Sequence, residues 1–164
     1  MPQDISGYDV GALLYCPANA HHTVAQAVAA ERLPRPFSLA LCLEDTVRAD
    51  ALAAAEQAVE QTLHDLTDTA RQETFYRPLT FVRVRSPEQL ARLGRAYGKY
   101  RPLLTGFILP KFFIETCGAY CAVIRDLQAD GLDYFYMPVF EAPSMLPLHT
   151  RHAALAEVKA QLDA

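Results

Sequence analysis

SLALCLEDTV, residues 38–47, is the stretch that decides how this chain folds. Leu39, Ala40, Leu41 and Cys42 have the unbroken apolar character of a strand buried on both faces, and the run ends on Glu44 and Asp45. Such a strand belongs in a parallel sheet and delivers its terminal acids to one rim. Four other segments repeat the arrangement. Leu13-Leu14-Tyr15-Cys16 runs into Pro17-Ala18-Asn19, and residues 79–84 carry Arg83 and lead to Arg85. Residues 106–110 end on Lys111, and residues 134–140 end on Glu141.

Helical patterns fill the intervals. A first helix is predicted over residues 23–33, with Val24 and Val28 inward, and a second over 51–66, with Leu52, Ala55, Val59, Leu63 and Leu66 at steps of three and four. Residues 67–78 are polar and read as a loop. Ser86-Pro87-Glu88-Gln89 opens a third helix, with Ser86 as the cap, Pro87 at the first position and Gln89 closing a capping box. A fourth places Ile114, Cys117, Cys121 and Ile124 on one face and stops at Asp130-Gly131. Pro147 opens a last helix, with Leu148, Leu155, Val158 and Leu162 expected inward. Strand and helix thus alternate five times, the mark of βα units around a parallel sheet. With no repeat or linker dividing the chain, one domain over residues 1–164 is expected. Periodicity leaves two architectures open, an open doubly wound sheet and part of a (β/α)8 barrel.

Composition narrows the partners. The net charge of −4 and the absence of a Lys/Arg block argue against a nucleic-acid footprint. No apolar run reaches membrane-spanning length, and MPQDISGYDV lacks the basic and apolar regions of a signal peptide, so no membrane association and a cytoplasmic location are expected. Cys16 and Cys42 lie in predicted strands as small apolar residues. Cys117 and Cys121 share a helix face, where core packing outweighs half a metal site.

In either architecture, ligands gather at the carboxyl ends of the strands. There the chain offers carboxylates at Glu44, Asp45 and Glu141, cations at Arg83, Arg85 and Lys111, and an amide at Asn19. Carboxylates on different strands suit a hard cation such as Mg2+, and arginine offers a bidentate fork to a carboxylate or phosphate. Each residue also has a plainer reading. Glu44 or Asp45 caps the next helix, with only one of the pair on a given sheet face. Arg83 and Arg85 share parity and form surface ion pairs. Lys111 snorkels at the sheet edge. Glu141 resists the plain reading most, because an acid ending an apolar strand needs a partner. His149 and His152 read as exposed first-turn residues.

The ordered motifs LLYCPAN, LCLEDTV, FVRVR, GFILPK and MPVFEAP, from Gly11 to Glu141, resemble the citrate lyase beta-subunit-like family, also called the HpcH/HpaI aldolase family. The first two are most similar to the citrate-lyase-like proteins of tellurium-resistance and stress gene clusters. The resemblance implies a (β/α)8 TIM barrel of the phosphoenolpyruvate/pyruvate type, represented here by about five βα units. It also implies Mg2+-dependent cleavage or formation of a carbon–carbon bond next to a carboxylate or acyl-CoA thioester. By motif, Glu141 resembles the first metal-ligand glutamate, and Arg83 the arginine that holds the substrate carboxylate and steadies an enolate. Glu44 and Asp45 resemble acids that bind metal-bound water or assist proton transfer. Arg85, Lys111 and Asn19 are carried as substrate-binding candidates.

Three departures bear on these expectations. Arg85 replaces a frequent asparagine, Ala142-Pro143 replaces a Thr/Ser after the glutamate, and the family's second metal-ligand aspartate falls beyond Ala164. Three readings follow as expectations: a Mg2+-dependent carbon–carbon lyase seen as its N-terminal portion, a non-catalytic binding or assembly protein on the same strands, or an inactive truncated fragment of such a lyase. Because five units leave the first and fifth strands as edges, self-association is also expected.

Overall fold

The computed structural model describes residues 5–141 and 143–163; residues 1–4, Ala142 and Ala164 lie outside them. Five strands alternate with five helices there: β1 (Leu13–Pro17), α1 (His21–Ala29), β2 (Ser38–Cys42), α2 (Leu52–Gln72), β3 (Thr80–Arg83), α3 (Pro87–Ala96), β4 (Leu104–Leu109), α4 (Ile114–Ala129), β5 (Phe135–Pro138) and α5 (Leu148–Leu162). All pairings are parallel, in the order β1-β2-β3-β4-β5. A doubly wound sheet reverses its order at a switch point, whereas a barrel runs consecutively. The strand order decides what periodicity left open.

Side-chain parity agrees. Leu39, Leu41, Leu43, Val82, Val84, Phe107 and Leu109 form one core with helix residues such as Val28, Val59, Leu63, Leu90, Leu93, Tyr120 and Leu127. The alternate positions, Ala40, Phe81 and Ile108, cluster on the other face with Val10 of the short 3-10 turn before β1 and with half-buried Leu13, Phe135, Met137 and Val139, and among the described residues none of the five α-helices contributes there. The helices thus cover one face only, as outside a barrel, while Glu44, Arg83 and Glu141 share the parity of the inner face. Among the described residues no helix is long and apolar enough to cross a membrane. All four cysteines are free, with Cys42, Cys117 and Cys121 buried.

Several boundaries differ from the sequence expectation. α2 continues to Gln72 through what reads as a loop. Thr67 and Thr69 turn their hydroxyls onto the Leu63 and Asp65 carbonyls at 2.7 and 2.9 Å, and Arg71 pairs with Asp68, so a polar run stays helical on a solvated face. α1 ends at Ala29, because Glu31 takes a left-handed φ of 50°. In α5 only Ala154 and Val158 are buried, while Leu148, Leu155 and Leu162 are exposed, and the helix packs chiefly on α4. Gln89 does not close its box on Ser86; its side chain accepts the N–H one residue earlier, from Arg85 at 2.7 Å.

The tyrosines make the fold alkali-sensitive. Tyr97 and Tyr134 donate their hydroxyls to the Glu56 and Gly94 carbonyls at 2.9 and 2.7 Å. Burial pushes the Tyr134 hydroxyl up to about 12, and raises Tyr97, Tyr120 and Tyr136 as well. Above the ordinary tyrosine value near 10, the unfolded chain releases protons that the folded chain retains, so rising pH favours unfolding. Urea midpoints should hold steady up to about pH 9 and fall beyond about pH 10, less steeply in Tyr134→Phe. A flat midpoint through that window would contradict the assignment.

Candidate functional site

The site lies where β2, β3 and β5 end. β2 leads its inner-face parity to Glu44, which is buried at 7 % exposure, while Asp45, one residue on, has a side chain 66 % exposed. β3 ends on Arg83, whose neighbour across the sheet is Cys42. The chain after β5 carries the same parity on to Glu141. These placements bring three carboxylates onto one nitrogen, Arg83 Nη2: Glu44 Oε2 at 2.5 Å, Glu141 Oε1 at 3.1 Å and Asp45 Oδ2 at 3.2 Å. Burial pulls the Arg83 guanidinium down, but Glu44, Glu141 and Asp45 together outweigh it and hold the group above the ordinary arginine value.

Lys111 enters by a different route. Its parity matches Phe107 and Leu109, which face the helices. A left-handed backbone, φ 51°, re-aims it, so that its N–H donates to Glu141 Oε1 at 3.1 Å and its Nζ reaches Glu44 Oε1 at 3.1 Å. Backbone in this region is costly for a side chain-bearing residue and persists where neighbours hold it; here Thr116 Oγ1 donates to the Lys111 carbonyl at 2.6 Å.

Arg83 Nη2 donates to Glu141 Oε1 in good geometry at 3.1 Å, whereas the contacts to Glu44 are close but poorly directed. Both Glu44 oxygens and Arg83 Nε are buried without a partner in hydrogen-bond geometry, although Glu44 lies in ionic contact with Arg83 and Lys111. Buried groups with hydrogen-bonding capacity left over are a feature of sites that receive a polar ligand. The three carboxylates outnumber the two cations, so the cluster has room for a further positive charge.

Not every expected residue joins. Arg85 turns away and binds backbone carbonyls of the loop that bears Glu44. Asn19 is exposed in the 3-10 turn Ala18–Ala20, with no contact to the cluster among the described residues. His149 and His152 are exposed. One residue was missed: Tyr15, paired in register with Ala40 and therefore on the inner face, sets its ring 5.9 Å from Arg83 Cζ. Its signal was a large aromatic two residues before the Pro17 that ends β1. Beside Glu141 a groove of about 640 Å³ opens, lined by Phe140, Met145, Leu146, Arg151 and Leu155 among others.

Whether Mg2+ fits turns on the donors. Among the described residues no group of three or more acidic, histidine or cysteine side chains is arranged to hold a metal ion by itself, Glu44, Asp45 and Glu141 being gathered on Arg83. Glu141 and Glu44 nevertheless supply hard oxygen donors, and the unpartnered oxygens of Glu44 suit a cation or the water it carries. One or two carboxylates are what Mg2+ takes when it keeps several waters. The donor set is compatible with Mg2+ at that count.

A barrel sheet with acids and an arginine at its carboxyl rim defines an α/β-barrel protein with a strand-end site. Comparison with known families gives the class. The family model described as C-C_Bond_Lyase of the TIM-Barrel fold matches residues 4–164, and the chain belongs to that family of carbon–carbon bond lyases. No curated protein matches the sequence closely enough to add to this.

Proposed function

We propose that this chain is a Mg2+-dependent lyase of the citrate-lyase-like, phosphoenolpyruvate/pyruvate-barrel type, acting on a carboxylate or acyl-CoA substrate through an enolate. The convergence of Glu44, Asp45 and Glu141 on Arg83 carries the reading. In retro-aldol or retro-Claisen cleavage, a hydroxyl or attacking water gives up a proton, the bond next to the carboxylate or thioester breaks, and its electron pair passes into an enolate. Arg83, fixed by three acids, presents a preorganised cation to the oxygen on which that charge develops, the contribution that dominates in most such sites. Glu44 and Asp45 flank it and accept the proton. Mg2+, held through Glu141 and by water on the Glu44 side, would act as a Lewis acid on the substrate oxygens. The groove beside Glu141 gives the substrate's unreactive part an apolar surface.

Calorimetric titration with Mg2+, then with oxaloacetate, pyruvate or acetyl-CoA, tests the proposal. Glu141→Ala is expected to weaken Mg2+ binding by about tenfold or more, about 1.4 kcal/mol. Mg2+ binding equal in wild type and variant removes Glu141 from the metal site.

A further inference from the structure

Arg83 and Arg85 are two residues apart, yet they do different things. β3 ends at Arg83, and the chain then turns into the Ser86 cap of α3, so strand alternation no longer governs Arg85. Its guanidinium crosses to the loop after β2. There Nε donates to the Leu43 carbonyl at 2.6 Å, and Nη2 donates to the Glu44 carbonyl at 3.1 Å and also to that of Val47. One planar fork thus holds three carbonyls of residues 43–47, the segment that carries Glu44 and Asp45.

The backbone that carries the fork is braced from behind. The Arg85 backbone N–H donates to Gln89 Oε1 at 2.7 Å, and Gln89 Nε2 donates to Glu56 Oε1 at 2.6 Å. Glu56 takes two more hydrogen bonds from Arg92, at 2.6 and 2.8 Å. Gln89 is buried, a polar residue in the wall between α2 and α3 whose amide is used on both sides. Helices α2 and α3 therefore fix Arg85, and Arg85 fixes the backbone around Glu44.

We infer that Arg85 is a positioning residue: it holds the 43–47 loop so that Glu44 meets Arg83, and it does not bind substrate. The inference rests on the reading of the Arg83 cluster as the reaction site. Its guanidinium is occupied by carbonyls outside that cluster, and lysine, with a single ammonium, cannot reproduce a three-carbonyl fork.

The test measures the Glu44–Arg83 coupling by a double-mutant cycle in urea unfolding, using Glu44→Gln and Arg83→Met singly and together. The cycle is run with Arg85 present and again in Arg85→Met. The coupling is expected to fall by roughly half or more when Arg85 is lost, and to fall less in Arg85→Lys. Should Arg85→Met fail to fold, Arg85→Lys and Gln89→Met carry the test. Unchanged coupling overturns the inference, because a residue that only fastens the loop lowers stability and leaves the pair intact. Kinetics with oxaloacetate as probe give the second readout: kcat should drop about 10- to 100-fold with KM nearly unmoved. A raised KM at unchanged kcat places Arg85 on the substrate and overturns the inference. Absence of any lyase turnover in wild type counts against the proposed function, while the unfolding cycle still decides the role of Arg85.

Discussion

Gly106→Ala is expected to cost most or all of the folded state. Gly106 lies in β4 in register with Phe135 of β5, and a Cβ built on it would stand 1.7 Å from the Phe135 carbonyl oxygen, with the Phe135 carbonyl carbon and nitrogen within 3 Å. These are backbone atoms, so no rotamer change relieves the clash, and the two strands must separate. The expected loss exceeds about 4 kcal/mol, an exceptional value for one methyl group and a large share of the about 5–15 kcal/mol that holds a domain together. It should appear as a fall in Tm of about 10 °C or more, or as failure to fold. Gly7→Ala is the control: nothing lies within 4 Å of its Cβ, and stability should move by no more than about 0.5 kcal/mol. A folded Gly106→Ala protein with near wild-type Tm would contradict the β4–β5 pairing. Because Glu141 follows β5, the same substitution should also scatter the site.

Arg83→Ala has the second large effect, on stability and chemistry together. It strands Glu44, whose side chain is 6 % exposed, with only a mostly exposed lysine for company. Removing one partner of a buried ion pair costs about 3–5 kcal/mol, and the poorly directed contact here together with the surviving Lys111 contact places the expectation near about 3 kcal/mol. Adding Glu44→Gln should restore much of that loss, since the uncompensated charge goes with it. Urea unfolding of the two single variants and the double variant reads this directly. If Arg83→Ala alone were neutral, Glu44 would not depend on Arg83. Activity should fall at least about 100-fold, the scale of removing a preorganised donor from a developing anion.

The fold was legible where apolar runs end on charge. The stretch around Leu39 to Asp45 announced a parallel strand buried on both faces, and the five repeats of that pattern announced βα units. Which architecture they build was not legible, because strand order is a long-range property and hydrophobic periodicity is local. Within the site, alternation put Glu44 and Asp45 on opposite faces without saying which is buried; the structure buries Glu44 and exposes Asp45. Alternation misled at Arg85 and Lys111, where the chain leaves the pleat after the strand instead of carrying it on as it does to Glu44 and Glu141. There a turn into a helix cap, or a left-handed φ, sets direction in place of the pleat. The length of α2 was hidden by threonines that look like loop residues and here bond back onto their own helix. Tyr15 was visible as an aromatic residue, but its place beside Arg83 depends on the β1–β2 register, which local sequence does not state.

The central claim is that Arg83 and its acids stabilise an enolate, and proton exchange at carbon measures that without requiring the full cleavage reaction. The 164-residue chain would be incubated with Mg2+ and pyruvate or acetyl-CoA in D2O, and deuterium entry at the methyl group followed by NMR. Exchange well above buffer is expected in the wild type, lowered at least about 100-fold in Arg83→Ala. Exchange no faster than buffer with every probe, or exchange indifferent to Arg83→Ala, would contradict the claim.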